Sequence, residues 1–598
     1  MNNIFEAFNA KHLKSEDIVR NFVSSALFLE TAQNGHTILV GPRGSGKTTF
    51  LRMLSNNTLP KWDEYIKNSY SDSIDYEGIY IPGDLVWGEM INSLESAGLN
   101  HQYSESFSYT AFCTHVFINT IESITIYIEK FRVKMGEEYI SKREDDIYDA
   151  IMSIANTLKL SPGKYSLSRL RIELYKTLNE LGEYSRYLSI FGVDKLDILE
   201  FNQKVPYAHI DLKTTLESIF NAIDFAFDNP EQRWAILLDE FEIAPKYLLD
   251  NVIKNMRSSA KKIMFKVALV PCGFHQEIKS QTSSINDYSV VELWYVKNGE
   301  SAEFCKNLVK AKFNIEDPVT VLGSTKFSPN YKDNSKNWIK EFNSLYSKDL
   351  SFREFIISNN IDFENEFDDK FATSSLVRKI APVVAFRNAF LNIHGKRKGR
   401  KSLAEFYSGW DAISRISEGN PRWLMSTLNT LLGRTGEKRI PDSEQINRVK
   451  ISTDAYCAML STLPLSNNMG LSTGQPIFEL LEMIASYFNK RLIDGEFKAA
   501  QPLTFTVDDK VDSNIESSLM IAWNYGAIVA VDTKNTFGTY DNLKGMRFRL
   551  SFLMSPKFEL PVRMDKAINL STILNSKIVK DTPIVEEDSN SIKQRSLF

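Results

Sequence analysis

Residues 36–54 read His36-Thr37-Ile38-Leu39-Val40, then Gly41-Pro42-Arg43-Gly44-Ser45-Gly46-Lys47-Thr48, then Thr49 to Leu54. The first five make an apolar, strand-like run and the last six a helical one, so the glycine-rich segment stands where a strand turns into a helix. It fits G-x-x-x-x-G-K-[ST]. Glycines let backbone N–H groups wrap phosphate oxygens, and the N-terminus of the following helix adds the positive end of its dipole. Gly41, Pro42, Arg43, Gly44, Ser45, Gly46, Lys47, Thr48 and Thr49 are therefore the candidate cradle for a nucleoside triphosphate. Lys47 brings a point charge to the β- and γ-phosphates, and the Thr48 hydroxyl is a candidate Mg2+ ligand. A plain glycine-rich turn is the bland alternative, and the flanking strand and helix argue against it.

Working outward, Trp234-Ala235-Ile236-Leu237-Leu238 is a buried-strand run that ends in Asp239-Glu240. That order puts two carboxylates at the carboxyl edge of a strand, where they face bound phosphates. Asp239 is the second candidate for Mg2+, directly or through water, and Glu240 the candidate base for an attacking water. A helical stretch from Leu248 to Lys262 and a strand from Lys262 to Val270 come next, ending at Pro271-Cys272-Gly273. A polar group often reads the terminal phosphate at such a place. Cys272 is a poor hydrogen-bond former and reads better as a small packed residue. A further strand is expected at 288–293.

The order of parts resembles the AAA+ ATPases, and within them the origin-recognition-complex and initiator-like clade, including bacterial ATPases of that type. The resemblance rests on GPRGSGKTT at 41–49, AILLDEFEIAP at 235–245, VPCG at 270–273 and SEGNPRWLM at 417–425. It implies an α/β fold: a P-loop AAA+ core with a parallel sheet, helical insertions, a helical lid and a C-terminal winged-helix-like domain. It also implies ATP and Mg2+ as ligands, catalytic roles for Lys47, Asp239 and Glu240, and a lid sensor at Arg422 that reaches over the γ-phosphate. A permanent charge with a forked donor suits that role. The ordinary reading of Gly419-Asn420-Pro421, a turn entering a helix, is compatible with it.

Two departures from the family pattern stand out. Lys47 and Asp239 are 192 positions apart, so about 104–206 is predicted to be a helical insertion. Its amphipathic run from Thr110 to Phe131 and charged stretch from Lys134 to Asp149 suggest a protrusion that docks on a neighbour or on the chain's own lid. The second departure is that Phe274 to Tyr288, where such ATPases usually carry an arginine finger, contains no arginine. Arg257 is a possible substitute, although a solvated helical face is the commoner use of such a residue.

The predicted division is 1–295 for the core, 296–439 for the lid, 440–566 for the winged-helix-like domain and 567–598 for a C-terminal tail. Ser324 to Asn359 reads as a polar, turn-rich excursion within the lid. Lys396, Arg397, Lys398, Arg400 and Lys401 put five cations into six positions. Such a loop either contacts a nucleic-acid backbone or is simply solvated. The would-be recognition helix, Ser513 to Tyr525, has one acid and no base, and residues 440–566 carry 13 basic and 15 acidic residues. That balance opposes phosphate binding and disfavours origin initiation proper. The hairpin loop Thr533 to Gly545, with Lys534 and Lys544, is the better candidate contact with DNA or protein.

Over its 598 residues the chain has 43% hydrophobic and 24% charged residues, which excludes a largely disordered or low-complexity protein. A net charge of −4 excludes a generally basic nucleic-acid binder. Four scattered cysteines and the absence of a leader-like start or a long apolar run predict a cytoplasmic location and no membrane partner. No nuclease or nucleophile motif is visible. The expected function is an ATP-hydrolysing switch acting on a protein partner, an effector or another copy of the chain, or on a DNA complex. By resemblance alone, anti-phage defence is one setting. The alternative is a nucleotide-stabilised scaffold or DNA-binding module with little hydrolysis.

Overall fold

The computed structural model describes residues 13–63, 73–257, 262–273, 287–293, 300–325, 335–363, 375–399, 404–432, 439–463, 476–531 and 539–576. At its centre is a five-stranded sheet of β1 (Thr37–Val40), β2 (Tyr76–Ile81), β3 (Arg233–Leu238), β4 (Ile263–Leu269) and β5 (Ser289–Glu292). The order is β2-β3-β4-β1-β5 and every pairing is parallel. Parallel sheets are covered on both faces, which is why β1, β3 and β4 read as nearly continuous apolar runs.

The two faces take alternate residues. Leu39, Ala235, Leu237, Met264 and Ala268 pack with α1 (Ser15–Asn21), α2 (Ala26–Ala32) and α3 (Lys47–Met53). Ile38, Val40, Trp234, Ile236, Leu238, Phe265 and Val267 face the other way. Covering that second face are α4 (Val86–Ser96), α5 (His101–Met135), α6 (Glu144–Thr157), α7 (Leu167–Phe191), α8 (Ile198–Lys204) and α9 (Leu212–Ala226).

The insertion is therefore a layer of the core, which corrects the predicted protrusion. Its central helix α5 is buried on most of its circumference from Phe107 to Tyr127. Trp234 of β3 stacks on Phe220 of α9, with ring centroids 4.5 Å apart, and meets Tyr127 of α5 at 5.1 Å. By length and composition alone α5 is apolar enough to cross a bilayer, a feature the sequence reading passed over, but 67% of its most apolar window is buried within the chain.

Beyond β5, one continuous apolar cluster runs from Cys305 to Ile573 and includes Cys272. It joins α10 (Glu300–Phe313), α11 (Ser335–Lys348), α12 (Leu350–Ser358), α13 (Ser375–Phe390), α14 (Pro421–Leu432), α15 (Asp442–Ser461) and α16 (Ile477–Ile493). The predicted division at 439/440 falls inside this cluster. Residues 335–358, expected as a turn-rich excursion, are two helices. Phe342, Leu345, Phe352 and Ile356 carry their buried faces, and the polar residues between them lie on the outer sides. Arg387 of α13 ties the start of α12 to the C-terminal end of α16. Its guanidinium donates to Asp349 Oδ2 at 2.5 Å, to the Leu492 carbonyl at 3.0 Å and to the Gly495 carbonyl at 2.6 Å.

The C-terminal domain holds a four-stranded mixed sheet, order β7-β8-β6-β9, of β6 (Pro502–Thr506), β7 (Ile528–Ala530), β8 (Arg547–Leu550) and β9 (Lys566–Asn569). The pairs β6/β8 and β7/β8 are antiparallel and β6/β9 is parallel. With α16 and α17 (Ser513–Asn524) this is a winged-helix-like arrangement. The tail predicted at 567–598 begins inside β9, and Leu570–Leu574 form a further helix that buries Leu570 and Ile573, so 567–576 belong to the domain; residues 577–598 lie outside the described residues.

Candidate functional site at the phosphate loop

The loop 41–46 leaves the end of β1 and enters α3 through two glycines in the left-handed region, Gly44 at φ +87° and Gly46 at φ +103°. Gly44 also permits a close approach: a β-carbon there would lie 2.9 Å from Asn420 Oδ1 and 3.2 Å from Arg422 Cβ. Lys47, the first residue of α3, is only 7% exposed, and its Nζ donates to the carbonyls of Gly41 at 2.5 Å and Pro42 at 3.2 Å. Burial lowers the Lys47 pKa, opposed by the nearby carboxylates Glu242 and Asp239.

Thr48 Oγ1 donates to Asp239 Oδ1 at 3.2 Å, bringing together two residues 191 positions apart. Asp239 is 1% exposed, and its other oxygen accepts from the Tyr80 hydroxyl at 2.7 Å. Burial raises the Asp239 pKa, while the Tyr80 and Thr48 hydroxyls hold it down. Glu240 comes next at φ +48°, a left-handed turn that redirects the chain at the strand's carboxyl edge.

Arg43, Gly44, Ser45, Gly46, Lys47, Thr48, Thr49, Asp239, Glu240 and Arg422 all line one cavity of about 490 Å³. Gly41 and Pro42 sit behind it; the Gly41 amide bonds the Leu269 carbonyl at 3.1 Å. Arg422 stands at the start of α14, where Asn420 Oδ1 accepts from the Arg422 amide at 3.0 Å as a cap. Burial and the neighbouring Arg43 lower the Arg422 pKa, with Glu240 opposing.

The sequence reading missed several members of this site. Ile18, Phe22 and Val23 from the N-terminal segment, Phe304 and Leu308 of α10 and Met425 of α14 give the cavity an apolar lining. Glu242 lines it too, 5% exposed, with Oε2 lacking any hydrogen-bond partner. Burial raises its pKa, opposed by Lys47 and Arg43. It is the next acid after the 239–240 pair, a signal that was there to read. Tyr80 gave no signal, since β2 was not anticipated.

Behind the loop stands the C-terminal domain. The Arg43 amide donates to the Asn524 carbonyl at 2.8 Å, and the Arg43 guanidinium lies 4.6 Å from the centre of the Tyr525 ring. Cys272 is fully buried and outside the cavity lining. Its amide donates to Asn524 Oδ1 at 2.7 Å, and Asn524 Nδ2 donates back to its carbonyl at 2.8 Å. Tyr540 pairs its backbone with Pro271 and Gly273 on the same edge. Asn420 Nδ2 donates to the Arg43 carbonyl at 3.2 Å. Glu418, at φ +58° in the same turn, accepts from both terminal nitrogens of Arg549 at 2.6 Å.

The other candidates stand elsewhere. Arg257 is at the C-terminal end of the helix Lys246–Met256 and is not part of the cavity lining. Most of 274–288, the segment without arginine, is outside the described residues. In the basic loop, Arg397 is engaged by Asn489, Asp494 and Glu559, and Lys398 Nζ by the Ala389 carbonyl. Lys396 is exposed, and Arg400 and Lys401 are outside the described residues, as is Lys534. Lys544 is tied to Val511 and Glu516 within the domain. The expected recognition helix α17 is buried continuously from Ser518 to Asn524.

The donor set fits a magnesium nucleotide. Mg2+ in such sites takes one or two protein oxygens and completes its shell with phosphate and water. Thr48 and Asp239 offer that many, and the described residues hold no cluster of three or more His, Cys, Asp or Glu side chains fit for a metal held by protein alone. The volume suits a drug-sized or nucleotide-sized ligand. A parallel sheet in this order, a glycine loop running into α3 and an acidic strand end opposite define a P-loop NTPase of the AAA+ superfamily. The model of the ORC-CDC6-like family matches residues 3–570, and the chain belongs to that family. Comparisons with curated proteins and with solved structures return no match.

Proposed function

We propose that the chain binds ATP with Mg2+ and hydrolyses it as a molecular switch that controls a partner protein or DNA complex. The observation that carries this reading is the Thr48–Asp239 contact of 3.2 Å, made at the N-terminus of α3 in a cavity that also holds Glu240 and Arg422. Thr48 and Asp239 would hold the metal, which would supply neutralising charge to the phosphates. Lys47 would exchange its loop carbonyls for phosphate oxygens, Glu240 would orient water and take its proton, and Arg422 would draw the lid over the terminal phosphate.

The test is nucleotide binding and phosphate release by the purified full chain. Lys47→Ala should lose binding. Glu240→Gln should keep ATP and slow turnover about 100-fold or more. Wild-type protein that binds no ATP, with or without DNA, sinks the reading. A second reading, nucleotide as a structural ligand, is favoured by the contacts of Asn524 and Tyr525 with the loop. In that case ATP raises the melting temperature without measurable phosphate release.

A further inference from the structure

Two arginines, one from the phosphate loop and one from α14, line the cavity. The Arg43 charge bears on Arg422, and among the described residues no carboxylate forms an ion pair with either. Glu240 and Glu242 line the same cavity, Glu240 within electrostatic reach of Arg422 and Glu242 within reach of Arg43. Two like charges that share a cavity without an ion-pair partner favour an anion between them.

Arg422 comes from α14, in the segment predicted as the lid. Arg43 belongs to the phosphate loop itself, where backbone amides normally do the work, and it is supported from behind. The Tyr525 ring lies beneath its guanidinium at 4.6 Å, and its amide is fixed by the Asn524 carbonyl at 2.8 Å. Tyr525 is held in turn: its carbonyl accepts from the Tyr456 hydroxyl at 3.1 Å, and Gly526, at φ +73°, lets the chain turn against Pro42. A planar cation over an aromatic face loses side-chain freedom while keeping its donors outward.

We infer that Arg43 is a further cation for the terminal phosphate beside Lys47 and Arg422, supplied by the phosphate loop, and that Tyr525 of the C-terminal domain is its positioning residue. This rests on the proposed nucleotide reading and extends it: the C-terminal domain reaches the γ-phosphate through one side chain. The position of that domain and the recognition of the terminal phosphate are then linked, each biasing the other.

The experiment measures the dissociation constants of ADP and of a non-hydrolysable ATP analogue, both with Mg2+, for the full-length wild type and for Arg43→Ala, Tyr525→Ala and Tyr525→Phe. Arg43→Ala should weaken the triphosphate about tenfold or more, the size of a lost charged hydrogen bond, and leave ADP within about twofold. Tyr525→Ala should weaken the triphosphate selectively by about threefold to tenfold, as a lost cation–π support implies, and Tyr525→Phe should match the wild type because the ring is kept. Equal weakening of both nucleotides by Arg43→Ala overturns the terminal-phosphate assignment. A wild-type result for Tyr525→Ala, with melting unchanged, overturns the positioning role. Equal loss of both nucleotides in Tyr525→Ala, or the same loss in Tyr525→Phe, assigns that residue to folding and overturns the role as well. A wild type that binds neither nucleotide removes the proposed function and this inference together.

Discussion

The Tyr80 hydroxyl donates to Asp239 Oδ2 at 2.7 Å while Thr48 donates to Oδ1 at 3.2 Å, so both oxygens of one buried carboxylate are oriented before any metal arrives. Partners that orient a metal ligand are typically worth about 10- to 100-fold in affinity or activity. Tyr80→Phe should therefore raise the Mg2+ concentration needed for half-maximal turnover by about tenfold, with the fold intact by circular dichroism. An unchanged Mg2+ titration removes Tyr80 from the site.

Glu242 is buried with one oxygen unpartnered, and burial raises its pKa. A carboxyl whose folded pKa lies above its unfolded one disfavours folding progressively as pH rises from the unfolded value through the folded one. Glu242→Gln should flatten that loss and stabilise the nucleotide-free protein at neutral pH by about 1 kcal/mol or more. Denaturant midpoints at pH 5 and pH 8 for both proteins provide the check; equal midpoints at both pH values contradict it.

His36 behaves in the opposite sense. Its Nδ1 accepts from the Phe265 amide at 3.0 Å, and burial, reinforced by the Lys213 and Lys266 charges, lowers its pKa to about 4 from 6.5. It is neutral when folded, so its contribution is complete above pH 6.5 and is lost as pH falls toward 4, by about 3 kcal/mol at most. Replacement by Gln should lower stability at pH 7 and remove this part of the acid sensitivity, which a pH series of unfolding curves would reveal.

Arg549 and Glu418 form a two-pronged ion pair at 2.6 Å with side chains 8% and 16% exposed. Removing one member of a buried pair costs about 3–5 kcal/mol. Arg549→Met should lower the denaturant midpoint of the lid and C-terminal region, and, because Glu418 shares a turn with Asn420 and Arg422, it should also weaken ATP binding. Loss of stability with unaltered ATP affinity separates the two effects and denies the second.

Much of the site was legible because local order encodes it. The loop at 41–48 and the acids at 239 and 240 announce themselves through the apolar strands before them. The hidden parts depend on distant chain. Strand β2 carries Glu77 and Gly78, poor strand residues by composition. Glu77 is neutralised by Lys130 Nζ at 2.5 Å, and a β-carbon on Gly78 would collide with the Leu54 carbonyl at 2.1 Å. Neither compensation can be read from the strand itself. The insertion was misread as a protrusion because an amphipathic run does not say which surface its apolar side packs on, and here that surface is the sheet of the same chain. The two lid helices at 335–358 were masked by their polar outer faces. Asn524 and Tyr525 lie about 480 positions from Arg43, beyond any local pattern.

The contacts of Asn524, Tyr525 and Arg549 also order events during synthesis. A ribosome adding about 5–20 residues per second makes the glycine loop early and needs roughly 25–100 s more to reach position 549. Through that interval the emerging chain has its phosphate cradle but lacks the side chains that brace it from the rear. Fragments cut before the final domain carry the same gap permanently, so nucleotide retention by the nascent protein reports whether the contacts of Asn524, Tyr525 and Arg549 have formed.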